Sequence, residues 1–168
     1  LAIAIAAIGG GGMFAVYSYV SPILTDLAGL PEAWVTPVLA LFGVGTTVGT
    51  LAGGRLGDRF GHREMIIVSL LAAGVLTVVS GLMTGLVAFV AARVLTGLGE
   101  GVFYSNDRTL IMTHTPAAQR TLGLGIVITG LSIGLTVGII LTPILIGWGA
   151  SLGMGGGAWR MPFFVFAA

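Results

Sequence analysis

Long apolar segments separated by short polar stretches organise this chain. Six segments rich in Leu, Ile, Val, Ala and Gly alternate with connections that carry charge, proline or glycine; they cover approximately residues 2–24, 35–54, 65–83, 86–104, 121–148 and 161–168. About 20 mainly apolar residues suffice for an α-helix to cross the hydrocarbon core of a bilayer. The pattern therefore predicts an all-α, polytopic membrane helix bundle, with the sixth span truncated and both ends of the chain cut from a longer protein.

Composition supports a membrane location and excludes several classes of function. Apolar residues make up 56% of the chain and charged residues 8%, whereas about a quarter of the residues in an ordinary soluble domain are charged. The net charge of +1 indicates no nucleic-acid partner, and the absence of cysteine excludes disulfides and thiol chemistry. No metal-ligand cluster, nucleotide-binding loop or nucleophilic catalytic set is apparent. We therefore predict no cofactor, no metal and no enzymatic activity.

The distribution of arginine predicts the orientation of the spans. Cytoplasmic connections of membrane proteins are enriched in arginine, and translocated ones are not. The connections at 55–64 and 105–120 together contain five arginines, whereas 25–34 contains Asp26 and Glu32 without arginine and 149–160 contains one. We expect the N-terminus and the two basic connections to be cytoplasmic, and the other two to lie outside.

The first basic connection also contains a recognisable motif. Residues 54–63 read GRLGDRFGHR and match the pattern G-x-L-x-D-R-x-G-x-R, which resembles the signature loop between helices 2 and 3 of the major facilitator superfamily. In that family the loop latches the two halves of the transporter together on the cytoplasmic side. The resemblance implies this role for Gly54, Asp58, Arg59, Gly61 and Arg63. A generic basic loop that only signals topology is the alternative; it would explain the arginines but not Asp58 or the glycines.

Two charged residues, Arg93 and Glu100, lie within the fourth apolar segment. A charge in the bilayer costs at least about 2.5 to 3.5 kcal/mol on insertion scales, so such residues are functional candidates by default. Their spacing of two helical turns places them on one face, roughly 10 Å apart along the axis. Tyr104 continues this face, and we expect Gly97 and Gly101 to keep it open. The three side chains are candidates for proton coupling or substrate binding; the alternative is a static Arg93–Glu100 ion pair.

Further resemblances extend over most of the chain. The run from Arg93 to Gly101 is similar to the R-x-x-x-G-x-G-x-G pattern of helix 4 in major facilitators, which implies a part for Arg93 in proton coupling. The Glu-Gly ending, the T-P-x-x-x-R connection and the W-R-x-P-F run resemble the organic-acid and anion:cation symporter branches. Residues 11–54, by contrast, look more like the first two helices of the second half of sugar and drug efflux carriers. The branch stays open.

Two other helical faces have regular spacing. Phe14 and Tyr17 share one face of the first span, where they line a substrate cavity or simply pack. In the fifth span Gly130, Gly134 and Gly138 recur every four positions and offer a flat stripe on which another helix can pack. We expect Pro143 to bend the same helix further along.

Together these observations predict the N-terminal six-helix half of a twelve-helix secondary transporter in the plasma (inner) membrane. It would move a small organic solute by alternating access, coupled to protons, with symport favoured. Its partners would be the solute, protons, the lipid bilayer and the missing C-terminal half. The alternatives are a drug or sugar efflux antiporter of the same superfamily and, from another class, a non-transporting membrane receptor or scaffold.

Overall fold

The computed structural model describes residues 21, 24–25, 31–83 and 85–167, and its regular structure is helical. Five α-helices lie within 31–167: α1 Val35–Phe60, α2 His62–Leu82, α3 Leu86–His114, α4 Arg120–Ser151 and α5 Met161–Ala167. Short 3-10 turns occupy Glu32–Trp34, Ala117–Gln119 and Gly155–Arg160. These helices correspond to the second to sixth predicted spans. Most of the first predicted span, with its candidates Phe14 and Tyr17, lies outside the described residues.

Four of these helices are long and apolar enough to cross a membrane. With their adjoining 3-10 turns they cover Glu32–Phe60, His62–Leu82, Leu86–His114 and Ala117–Ser151. In the part of the chain that the structure describes there is no β-strand. The prediction of an all-α, polytopic membrane bundle is confirmed.

The helices extend beyond the apolar segments from which they were predicted. Helix α1 continues to Phe60 rather than ending near Gly54, and α3 continues to His114 rather than to about Tyr104. Most of the predicted 55–64 connection is therefore helical, and its break is the single residue Gly61 with φ of 99°. Hydropathy shows where a helix leaves the hydrocarbon core of the bilayer, but not where its backbone hydrogen bonds end. A helical end with polar residues is therefore easily predicted to be a loop.

Glycines bring α1 and α3 into backbone contact. Four buried glycines recur every four residues along α1, at positions 45, 49, 53 and 57. A Cβ at Gly45 would lie 2.5 Å from the carbonyl oxygen of Val94, and one at Gly97 would lie 2.7 Å from that of Phe42. Because lipid supplies no hydrophobic force between helices, such close approach is a main source of their association. The expectation that Gly97 and Gly101 leave an open face is wrong, since α1 occupies that space.

The remaining helices pack around this pair. Helix α2 lies against α3 and α5, where the rings of Phe89 and Phe163 meet edge to face at 6.2 Å. Helix α4 contacts the Gly155–Arg160 turn and α5, and continues without interruption through Pro143. The predicted stripe of α4 is buried: Gly130, Gly134 and Gly138.

Candidate functional site

Arg93 is buried between α2, α3 and α5, with 5% of its surface exposed. Its Nη2 donates to Ser80 Oγ at 2.6 Å and to Thr96 Oγ1 at 3.2 Å, and its Nε donates to Ser80 Oγ at 3.2 Å. The guanidinium also lies 5.6 Å from the centre of the Phe163 ring and 6.0 Å from that of Phe89. Neutral hydroxyls and ring faces therefore surround this cation.

The hydroxyl oxygens of Ser80 and Thr96 are free to accept hydrogen bonds from Arg93, because their own protons are donated elsewhere. Ser80 donates its proton to Leu76 O at 2.7 Å, and Thr96 donates to Ala92 O at 2.8 Å, each one turn back in its own helix. With the hydroxyl proton engaged, the oxygen lone pairs remain for the guanidinium. This arrangement gives Nε and Nη2 of Arg93 acceptors other than a carboxylate.

Glu100 is buried on the same helix, at 8% exposure, but does not pair with Arg93. Among the described residues the contact within 4.0 Å between an acidic and a basic side chain joins Asp58 and His62, at another place in the fold. The predicted common face does not become a contact, because the arginine side chain is directed to Ser80 and Phe163. The structure therefore leaves the alternative of a static Arg93–Glu100 ion pair without support.

Tyr104 follows Glu100 one turn later on α3. Its ring meets Phe103 edge to face at 5.7 Å, and the guanidinium of Arg108 lies 5.6 Å from its centre. Thus α3 carries an acid, a phenol and a cation at successive turns, namely Glu100, Tyr104 and Arg108. Such a set of side chains can bind polar or aromatic groups.

A second polar cluster lies where α1 ends and α2 begins. Asn106 of α3 is fully buried and donates from Nδ2 to Gly53 O at 3.0 Å and to Val102 O at 2.8 Å. Its Oδ1 lies 2.7 Å from Nδ1 of His62, whose Nε2 is 3.6 Å from Oδ1 of Asp58. The sequence analysis missed Asn106 and His62. The signal available in the sequence was the polar amide of Asn106 inside a long helix. Its partner His62 is 44 positions away in the sequence, so the pair could not be recognised from local spacing.

The candidate latch residues gather around this junction. Asp58, Arg59 and Arg63 are exposed, and Gly61 supplies the positive φ that joins the two helices. A Cβ at Gly54 would meet nothing within 4 Å. The charged groups are thus accessible for contacts with a partner surface. Within residues 31–83 and 85–167, no three His, Asp or Glu side chains are placed to hold a metal ion.

Comparison with known proteins identifies the family. The sequence model of the Major Facilitator Superfamily matches residues 1–168. The chain belongs to the Major Facilitator Superfamily. This confirms the resemblance seen in the 54–63 motif and in the helix that carries Arg93.

Similar major facilitators include carriers of organic acids. The 4-hydroxybenzoate transporter PcaK of Pseudomonas aeruginosa is 30% identical over 145 residues, which cover 84% of this chain and 32% of that protein. A gallate transporter of Pseudomonas putida is 29% identical over 145 residues, with the same coverage. The cis,cis-muconate transport protein of Acinetobacter baylyi is 35% identical over 104 residues, 62% of this chain and 24% of that protein.

These relatives are transport proteins and not enzymes, in agreement with the prediction of a non-enzymatic chain. The chain spans about a third of the length of the curated relatives it matches. It is an integral membrane protein of this family.

Proposed function

We propose that this chain is the N-terminal six-helix half of a secondary transporter that imports small organic acids together with protons. The similarity to hydroxybenzoate and gallate transporters supports organic acids as the substrate class, and aromatic carboxylates as the first members to test. The C-terminal half would complete the substrate cavity. The protein would reside in the cytoplasmic (inner) membrane with its N-terminus in the cytoplasm, as the arginine distribution predicts.

The observation that carries the proton-coupling proposal is the burial of Glu100 without an ion-pair partner within 4.0 Å among the described residues. A carboxylate in a membrane helix is costly unless it is paired or protonated. Arg93 donates hydrogen bonds to Ser80 and Thr96 and does not form an ion pair with Glu100 within 4.0 Å. Glu100 can therefore exchange a proton when its surroundings change between the inward-open and outward-open states.

In this scheme Arg93 has a positioning role. Its bonds to Ser80 and its place beside Phe163 fix the packing of α2 and α5 on α3, the helix that carries Glu100. Tyr104 and Glu100 would face the transport pathway, with Phe14 and Tyr17 of the first predicted span on the same cavity.

The exposed charges at the α1–α2 junction would act as the cytoplasmic latch. Asp58, Arg59 and Arg63 would contact the C-terminal half in one of the two access states and separate from it in the other. The exposure of all three side chains supports this proposal, because they are available to a partner surface.

The decisive experiment is uptake of 4-hydroxybenzoate by the full-length protein in proteoliposomes, with and without an imposed inward proton gradient. Glu100→Gln should abolish gradient-driven accumulation and leave exchange of substrate down its own gradient, since the glutamine keeps the shape of the side chain. Glu64→Gln serves as the matched control, because Glu64 is an exposed acid in the first turn of α2.

The outcomes separate the alternatives. Concentration of substrate by Glu100→Gln at the wild-type rate would remove Glu100 from the coupling mechanism. Proton-driven export rather than import would favour the efflux antiporter that residues 11–54 resemble. Absence of any transport for a panel of organic acids, sugars and drugs would favour a receptor or scaffold.

A further inference from the structure

The side-chain amide of Asn106 has a defined orientation. Its Nδ2 lies 3.0 Å from the carbonyl oxygen of Gly53 and 2.8 Å from that of Val102. Backbone carbonyls only accept hydrogen bonds, so the atom between them must be the NH2 group. The amide oxygen is consequently the atom that faces His62.

This orientation determines the tautomer of His62. Asn106 Oδ1 is an acceptor and lies 2.7 Å from His62 Nδ1, so Nδ1 must carry a proton. In a neutral ring Nε2 is then a bare acceptor. It lies 3.6 Å from Oδ1 of Asp58, which is also an acceptor. A second proton on Nε2 would turn this contact of two acceptors into an ion pair.

The contact between Asn106 and His62 depends on a glycine. A Cβ at Gly57 would collide with both Oδ1 of Asn106 and Nδ1 of His62. Asn106 is 0% exposed, so water does not compete for its oxygen. The contact between the two side chains thus requires glycine at position 57.

We propose that Asn106 is a positioning residue that holds His62 in the Nδ1–H form and directs its Nε2 toward Asp58 at the end of α1. The charged residues near this contact in sequence, helix by helix, are Arg55, Asp58 and Arg59 on α1, Arg63 and Glu64 on α2, and Asp107 and Arg108 on α3. Of the three carboxylates, Asp58 alone is within 4.0 Å of the ring. The proposal rests on these contacts and is independent of the transported substrate.

Nitrogen NMR of the full-length, 15N-histidine-labelled protein tests the proposal. The His62 signal is assigned by its loss in His62→Gln. At a pH where the ring is neutral, the wild-type signal should show Nδ1–H, whereas free histidine favours Nε2–H. Asn106→Leu should return His62 to the Nε2–H form. The signal of His114, the last residue of α3, should not change and is the internal control.

Asp58→Asn tests whether Asn106 alone sets the tautomer, without disturbing the buried amide. The neutral ring in Asp58→Asn should keep Nδ1–H, because the oxygen of Asn106 still accepts from it. A wild-type ring with Nε2–H would overturn the proposal, as would retention of Nδ1–H in Asn106→Leu. A change to Nε2–H in Asp58→Asn would show that Asn106 does not set the tautomer by itself. If Asn106→Leu does not fold, the wild-type tautomer still decides the role of Asn106.

Discussion

Gly49 lies where the backbones of α1 and α3 are in direct contact. A Cβ at this position would overlap the carbonyl oxygen of Leu98 and lie 2.9 Å from its carbonyl carbon and 3.0 Å from its Cα. All three atoms belong to the backbone, so no side-chain rotation can relieve the overlap. Gly49→Ala must therefore separate the two helices or distort one of them.

The magnitude follows from comparison with Gly43, which is on the same helix. Gly43 is exposed, and a Cβ there would meet nothing within 4 Å. Replacing glycine by alanine in a helix interior is favourable by about 0.8 to 1.0 kcal/mol, and this gain applies to both positions. Overpacking costs about 1 to 3 kcal/mol and applies to Gly49 alone. The two variants should thus differ in unfolding free energy by about 1 to 3 kcal/mol.

Unfolding of the full-length protein by SDS in detergent micelles, followed by circular dichroism, measures this difference. Gly49→Ala should unfold at a lower SDS fraction than wild type, and Gly43→Ala at an equal or higher fraction. Gly101→Ala, on the facing side of the contact, should resemble Gly49→Ala. If Gly49→Ala and Gly43→Ala unfold at the same SDS fraction, the helices do not meet through this glycine and the packing argument is refuted.

Three further predictions concern topology, the latch and the buried arginine. Single cysteines at Glu32 and Arg63, in a full-length protein without other cysteines, should react with an impermeant maleimide from opposite sides of the membrane, because arginine marks the cytoplasmic side; labelling from one side would contradict the orientation. Asp58→Asn should lower substrate uptake without lowering membrane insertion, since one charge-assisted contact of about 1.5 to 3 kcal/mol is enough to unbalance two access states; unchanged uptake kinetics would argue against the latch. Arg93→Lys should lower uptake at equal insertion, because an ammonium lacks the planar geometry with which Nε and Nη2 bind Ser80, and wild-type uptake would show that only the charge matters.

Sequence reasoning predicted the helices that cross the membrane because bilayer thickness fixes the length of an apolar segment. It placed the end of α1 near Gly54 because Arg55, Asp58 and Arg59 resemble a loop in composition. In the structure these residues continue the helix to Phe60. Polar residues at the end of a membrane helix can remain helical in the interfacial region, so hydropathy and secondary structure differ there.

The arrangement of the site was less accessible to sequence reasoning. The spacing of Arg93 and Glu100 along α3 was read correctly, but the direction of the arginine side chain depends on Ser80, which belongs to another helix. Likewise, Gly97 and Gly101 indicated a groove, and only the packing of α1 shows that the groove is filled. Partners between helices are not encoded in the periodicity of either helix alone.

Two buried polar residues, Ser80 and Asn106, share a pattern that Glu100 lacks. Ser80 and Asn106 each donate one hydrogen bond to the carbonyl four residues back in their own helix and accept one from a basic side chain of a neighbouring helix. This pattern lets Arg93 and His62 bind hydroxyl and amide oxygens instead of carboxylates. No such donor is positioned for Glu100 by the described hydrogen bonds or ion pairs. A buried acid without a dedicated partner is poorly explained by a packing role, because packing would be served as well by a neutral side chain of the same size. Glu100 is therefore the residue of α3 whose substitution most directly tests proton coupling.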